Sequence, residues 1–168
     1  KTNGADLVGT LEFGPHYRLY NAVSYTSAKY GSDYLSGTKL VNGVSTPVTV
    51  ATGGKYVPLS PKWMNKTVFS VRYGGFEGQI IGDYVGRRYV TYLNDLSVKS
   101  NFQIGLQASW DLDGVKPDWT RSAKASINLT NITNTKGIST AVVTGNSGGY
   151  QGFPIAPQMV FVTLSAGF

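Results

Sequence analysis

The sequence has no cysteine, a single histidine and only nine acidic residues among 168. The missing cysteine removes disulfides, thiolate catalysis and cysteine metal sites together. His16 has no Cys and no paired carboxylates near it in sequence, so neither a zinc site nor a Ser-His-Asp arrangement has support, and it reads as a turn-side surface residue. No run approaches 18 apolar residues, which excludes a membrane helix but not a β-barrel, half of whose strand residues are polar. Charge is also sparse, at 14% of residues. The net +6 comes from scattered Lys and Arg, of which only Arg87-Arg88 are adjacent, so nucleic acid is not expected as a partner. Lys1 opens without a charged n-region and an apolar h-region, so no signal peptide reads from these residues; either one was removed or the chain is a piece. No constellation of acid, base and nucleophile appears, and neither an enzyme nor a bound cofactor or metal is expected.

What the sequence has is 21 Gly and 11 Tyr. Tyr and Thr favour strands, while Gly, Asn, Ser and Pro favour turns, so the fold class is all-β. The clearest organising stretch is the last, Gln158–Phe168. Val160, Val162, Leu164, Ala166 and Phe168 fall on one face of a strand, with Phe161, Thr163, Ser165 and Gly167 on the other. A tilted strand of about 9–11 residues with apolar-out, polar-in alternation crosses a bilayer. A terminal strand of a soluble sheet has the same pattern, so the rest of the chain decides.

Leu7, Gly9, Leu11 and Phe13 alternate with Asp6, Val8, Thr10 and Glu12 before a Gly14-Pro15 turn. A second strand spans about His16–Tyr30, with Asn21 interrupting its apolar face. Residues 31–61 lack a sustained period, with room for a short hairpin around Val44–Val50. From Asn65, Thr67, Phe69, Val71 and Tyr73 oppose Lys66, Val68, Ser70 and Arg72, and Gly74-Gly75 turns the chain into Phe76–Tyr84. A connection near Arg88–Lys99 precedes Phe102, Ile104, Leu106, Ala108 and Trp110, which alternate without a fault. A turn over Asp111–Asp118 leads to Ala123, Ala125, Ile127 and Leu129, and residues 131–157 form a last long connection. Seven strands result, joined by connections that alternate short and long. An outer-membrane barrel has this parity, because its periplasmic turns are short and its extracellular loops long. Aromatic residues near strand ends (Tyr17, Tyr25, Tyr73, Phe76, Trp110, Trp119 and Phe168) match interfacial girdles.

Gly54–Lys62 (Gly-Lys-Tyr-Val-Pro-Leu-Ser-Pro-Lys), Val71–Tyr89 with its Gly-Gly turn and Tyr-Val-Gly-Arg-Arg-Tyr ending, Asn128–Asn134 (Asn-Leu-Thr-Asn-Ile-Thr-Asn) and the terminal Phe168 together resemble the C-terminal barrel region of TonB-dependent outer-membrane receptors. The resemblance runs through nearly the whole chain in order. It implies an antiparallel transmembrane β-barrel in which residues 1–168 supply about seven C-terminal strands of about 22. The plug domain and the N-terminal strands are absent from these residues. It further implies energy-coupled uptake of a scarce nutrient, such as a ferric siderophore, across a Gram-negative outer membrane. The implied partners are outer-membrane lipid and lipopolysaccharide, the plug and remaining strands, the outer-membrane assembly machinery, and TonB through a TonB box in the missing N-terminal part. Long loops would be extracellular, with short turns and the C-terminus periplasmic.

On this reading Glu77, Gln79, Asp83 and Arg87 are lumen-facing candidates for ligand contact, and they serve equally as solvated wall. The resemblance implies that Val160, Val162, Leu164, Ala166 and Phe168 form the signal read by the assembly machinery. Gly145–Gly152 lacks the strand, helix and Lys context of a phosphate loop and reads as a flexible loop. Asp111, Asp113 and Gly114 lack the Glu that completes a calcium loop. The Asn-x-Thr matches at 65, 128 and 131 are chance in a bacterial strand. Two alternatives stay open. One is a small structural or adhesive outer-membrane barrel with an eighth strand around Val44–Val50. The other is a soluble β-sandwich binding carbohydrate through Trp63, Trp110 and Trp119.

Overall fold

The computed structural model describes residues 1–115, 119–144 and 149–167; Phe168, the last residue of the expected signal, lies outside them. Among the described residues the chain is strands and connections throughout: β1 (Thr2–Phe13), β2 (Tyr17–Ala28), β3 (Tyr34–Val41), β4 (Val44–Val50), β5 (Trp63–Tyr73), β6 (Phe76–Val85), β7 (Arg88–Tyr89), β8 (Ser97–Val98), β9 (Asn101–Asp111), β10 (Ser122–Thr130), β11 (Ile138–Thr144), β12 (Gly149–Pro154) and β13 (Met159–Gly167). Seven of them form one sheet in the order β1-β2-β5-β6-β9-β10-β13. Every neighbouring pair is antiparallel. These are the seven strands expected from alternation.

The connections divide by end. β1–β2, β5–β6 and β9–β10 turn at one end, two of them through Gly14 and Gly74, whose φ values of 62° and 55° suit glycine. The connections at the other end are long, and each carries its own two-stranded sheet: β3–β4, β7–β8 and β11–β12. The hairpin expected around Val44–Val50 is β3–β4, longer than expected, and it closes on Asn42-Gly43 with both residues at positive φ, 50° and 78°. That pair selects a type I′ turn, whose twist matches the strands it joins. Because β3–β4 stands apart from the main sheet, it is not the eighth strand that the small-barrel alternative requires. The loop expected over Gly145–Gly152 is corrected in part. Gly149–Gly152 belong to β12, paired with β11, where a Cβ at Gly152 would stand 3.1 Å from the Ile138 side chain; residues 145–148 fall outside the described set.

The main sheet has no conventional core. The buried apolar cluster is Val90, Val98 and Ala141, with Leu59 and Ile138 packed on it, and all of it lies in the long connections. On the sheet, large apolar side chains stand open, among them Leu7 at 74%, Val162 at 71% and Leu164 at 76% exposure. An exposed apolar face this continuous marks a surface built for an apolar partner or for lipid.

Candidate functional site

Register decides which side chains share a face. Rows run straight across the ladder: Leu11, Leu19, Phe69, Ile80, Leu106, Leu129 and Val160 form one of them. The same face carries Val160, Val162, Leu164 and Ala166 of β13 opposite Leu129, Ile127, Ala125 and Ala123, as alternation predicts. Aromatic rings border it at both ends. Phe13, Tyr17, Tyr73, Phe76 and Trp110 sit at the short-turn end, with Phe76 and Trp110 4.9 Å apart between centroids. Tyr25, Trp63, Tyr84 and Phe102 sit at the long-loop end, with Tyr25 and Trp63 4.7 Å apart. Tyr17 to Tyr25, Phe76 to Tyr84 and Phe102 to Trp110 are each eight residues of strand. That is about 26 Å of chain, or about 20 Å of height at a tilt of roughly 40°, close to the roughly 25 Å apolar band of an outer-membrane barrel. Trp63 and Trp110 therefore lie at opposite ends of one face, an arrangement that forms no common stacking platform.

The other face is wet and charged. Glu77 stands between Arg72 at 2.8 Å and Lys124 at 3.9 Å, and Lys124 also reaches Asp111 at 3.8 Å. Asp83 pairs with Lys66 at 3.4 Å, and Gln79 faces Gln107 across the ladder. Glu77, Gln79 and Asp83 thus fall on the polar face as expected, but both carboxylates are already matched by cross-strand cations. An open cleft of about 290 Å³ beside them is lined by Glu12, His16, Arg18, Arg72 and Glu77 at the short-turn end. There His16 lies against Tyr73, with Nδ1 2.9 Å from the Arg72 carbonyl.

Unmatched charge collects at the long-loop end. The Lys62 and Lys29 ammonium groups lie 4.2 and 4.8 Å from the centroid of one ring, Tyr56. Tyr56 stacks near Tyr89 at 6.0 Å, and Arg87 lies 5.6 Å from the Tyr89 ring. The backbone makes this meeting possible. The Asn94 side chain clamps Tyr56, donating to its carbonyl at 2.9 Å and accepting from its N–H at 2.6 Å, while Val57 N–H donates to the Ala28 carbonyl. The Gly86 N–H donates to the Trp63 carbonyl at 2.8 Å, which sets Lys62 opposite Arg87 just past the ends of β5 and β6. No described carboxylate forms an ion pair with Lys29, Lys62 or Arg87. Three cations lie against aromatic faces with no acid among them, a local charge that would attract an anion.

The Lys62 ammonium, and after it Lys29, holds the Tyr56 hydroxyl below the ordinary tyrosine pKa, and Tyr56 in turn raises that of Lys62. Lys62 therefore stays cationic throughout the physiological range. A depressed acid pKa stabilises the fold only above the unfolded value near 10, and that stabilisation is lost as pH falls through the folded value. At neutral pH the phenol is protonated and the pair contributes nothing through this route. An alkaline absorbance titration, taken as the difference between wild type and Tyr56→Phe, is expected to show Tyr56 ionising below the ordinary value. Lys62→Met should return it upward; an unchanged difference curve would separate the two groups.

Two further knots hold the loops. Arg88 is buried at 5% exposure, and its Nη2 donates to the carbonyls of Ile138 at 2.9 Å and Ser139 at 2.7 Å; burial without a carboxylate lowers its pKa. Asn131, buried at φ 49°, donates to the carbonyls of Thr135 and Ala156 and accepts from the Thr135 N–H, tying both ends of the last long connection.

No protein-family model matches the sequence, and no curated protein is significantly similar to it. Solved structures do match in shape. The siderophore receptor PiuA from Acinetobacter baumannii superposes at a TM-score of 0.71 with 13% identity, over 97% of this chain and 21% of that one. The ferric yersiniabactin uptake receptor FyuA from Yersinia pestis does so at 0.68 with 14% identity, over 99% and 23%. The fold is that of a segment of these receptors' barrels. BauA, the ferric preacinetobactin receptor from A. baumannii, matches at 0.53 with 16% identity, over 98% of this chain and 29% of its own. The wall segment thus spans between about a fifth and under a third of these receptors, and the resemblance to the C-terminal barrel of TonB-dependent receptors holds at the level of fold.

Of the four wall residues expected to meet a ligand, only Arg87 lies in the unmatched basic cluster. Lys29, Tyr56 and Lys62, the rest of that cluster, are not among the residues that the sequence singles out. Tyr56 and Lys62 stand inside the quoted Gly54–Lys62 motif, which was the available signal; Lys29 carried none, because its partner is 27 residues away.

Proposed function

We propose that the chain is the C-terminal portion of the barrel of an outer-membrane, TonB-dependent receptor that takes up an anionic ferric siderophore. The observation that carries the reading is the two-faced sheet: apolar and open between two aromatic borders on one side, ion-paired and wet on the other. Such a wall suits lipid outside and an aqueous, plugged lumen inside. Long loops face the medium, and short turns face the periplasm. Lys29, Tyr56, Lys62, Arg87 and Tyr89 meet the ligand at the outer mouth, while Glu77, Gln79 and Asp83 line the wall below it. The plug, the remaining strands and TonB complete the transport machinery, and lipopolysaccharide surrounds the outer rim. Val160, Val162, Leu164, Ala166 and Phe168 serve the assembly machinery as its recognition strand.

The test is uptake of radioiron-loaded siderophores by cells carrying the intact receptor. Accumulation of a ferric catecholate is expected to stop when a protonophore collapses the inner-membrane gradient. The Lys29→Glu/Lys62→Glu variant should bind that anion at least about tenfold more weakly, the weight of one charge-assisted contact, while an uncharged ferric hydroxamate is unaffected. Gradient-independent entry, or equal loss for both chelates, overturns the reading.

A further inference from the structure

The apolar face has one polar island. Gly9, Asn21, Thr67 and Gly82 form a single row across β1, β2, β5 and β6, with Asn65 one row nearer the long loops. Asn21 is midway between Tyr17 and Tyr25, the two aromatic border residues of its strand, so its amide lies at mid-height of the band. Asn21 Nδ2 donates to Thr67 Oγ1 at 2.7 Å, Thr67 Oγ1 donates to Asn65 Oδ1 at 3.0 Å, and Asn65 Nδ2 donates to the Ala22 carbonyl at 3.1 Å. That relay uses one hydrogen of the Asn21 amide. Its second hydrogen and its oxygen have no partner among the described hydrogen bonds. Hydrocarbon supplies neither donor nor acceptor, so a half-used amide at mid-band is costly beside lipid alone.

We infer that this island is a contact between two copies of the barrel within the membrane. An amide carries both a donor and an acceptor, so the patch is complementary to itself: under a twofold axis, each Asn21 offers what the other lacks. The neighbouring Gly9 lets the walls approach. A Cβ added at Gly9 meets nothing within 4 Å, whereas at Gly82, opposite Thr67, it would touch the Phe102 ring at 3.4 Å, so the close approach is on the Gly9 side of Asn21. A partner helix would have to bring a matching amide of its own; a second copy has one in place. The inference rests on the outer-membrane reading above.

The test uses the absence of cysteine. Gly9→Cys and, as a control on the same face but five strands away from Gly9, Ile127→Cys are introduced singly into the intact protein and treated with a short bismaleimide in native membranes. Gly9→Cys is expected to give a crosslinked dimer and Ile127→Cys none. Adding Asn21→Leu should cut the dimer by about tenfold, equivalent to about 1.4 kcal/mol, while the variant still reaches the membrane. Equal crosslinking at both positions, or a dimer indifferent to Asn21→Leu, overturns the contact. Protein that washes out of membranes without detergent overturns the outer-membrane reading instead.

Discussion

On the proposed membrane reading, Leu106→Arg is expected to destabilise the folded protein strongly, whereas Gln107→Arg, one residue along the same strand, is expected to leave its stability nearly unchanged. Leu106 lies midway between Phe102 and Trp110, in the row that runs from Leu11 to Val160 on the apolar face. An arginine on the lipid side of a barrel costs about 2–4 kcal/mol at the midplane, a factor of about thirty to several hundred in the folding equilibrium constant. Gln107 pairs with Gln79 and Asn128 on the wet face, where another cation meets water and nearby carboxylates. Urea titration of both variants of the intact protein in lipid vesicles measures the difference. The reverse order of stability would turn the wall inside out, and equal tolerance would remove the bilayer from the account.

The second large effect is expected at Arg88. Arg88→Met keeps much of the side-chain volume but removes the donors to Ile138 and Ser139. Hydrogen bonds from a charged donor contribute about 1.5–3 kcal/mol each. Against that stands the cost of burying a guanidinium whose Nη1 has no hydrogen-bond partner, a cost the methionine relieves. The hydrogen bonds should win locally, because the two carbonyls join separate excursions of the chain and methionine offers them nothing. The expected result is a sheet of unchanged stability with loose loops: limited proteolysis within residues 131–158 rises by about tenfold or more, with protection of the amides of Val98 and Ala141 falling in step. Arg88→Lys should rescue in part, since both hydrogen bonds leave one nitrogen, Nη2, and an ammonium can likewise donate to two carbonyls from a single atom. Unchanged cleavage in both variants would mean that the apolar cluster of Val90, Val98 and Ala141 holds the loops alone.

The resemblance motifs acquire a physical meaning in the same region. Gly86 has the Trp63 carbonyl 2.8 Å from where a Cβ would stand, so the Tyr-Val-Gly-Arg-Arg-Tyr stretch admits no larger residue there without a shift of backbone. Leu59, in Val-Pro-Leu-Ser-Pro-Lys, takes a positive φ of 64° and donates its N–H to the Tyr89 carbonyl. Asn131, in the Asn-Leu-Thr-Asn stretch, is the buried tie of the last excursion. Motifs scattered over the sequence therefore fix the loop bases, which hold the basic and aromatic side chains in place.

The sequence by itself determined the seven strands, their faces and the parity of their connections. An i, i+2 alternation is a local property, and Gly14, Gly74 and the faultless run from Phe102 to Trp110 state it without help from distant residues. It also held the Asn42-Gly43 turn, legible as chemistry but passed over because the surrounding loop lacks a long alternating run. Only the tertiary structure decided the rest. Register set Glu77 between Arg72 and Lys124, so that an expected ligand contact became part of an ion-paired wall. Closure of the loops brought Lys29 and Lys62 onto the one ring of Tyr56 and buried Arg88 under strands about 50 residues further on. Charge and burial of this kind depend on partners that the pattern along a strand does not encode, because the ladder that brings them together is a property of the whole sheet.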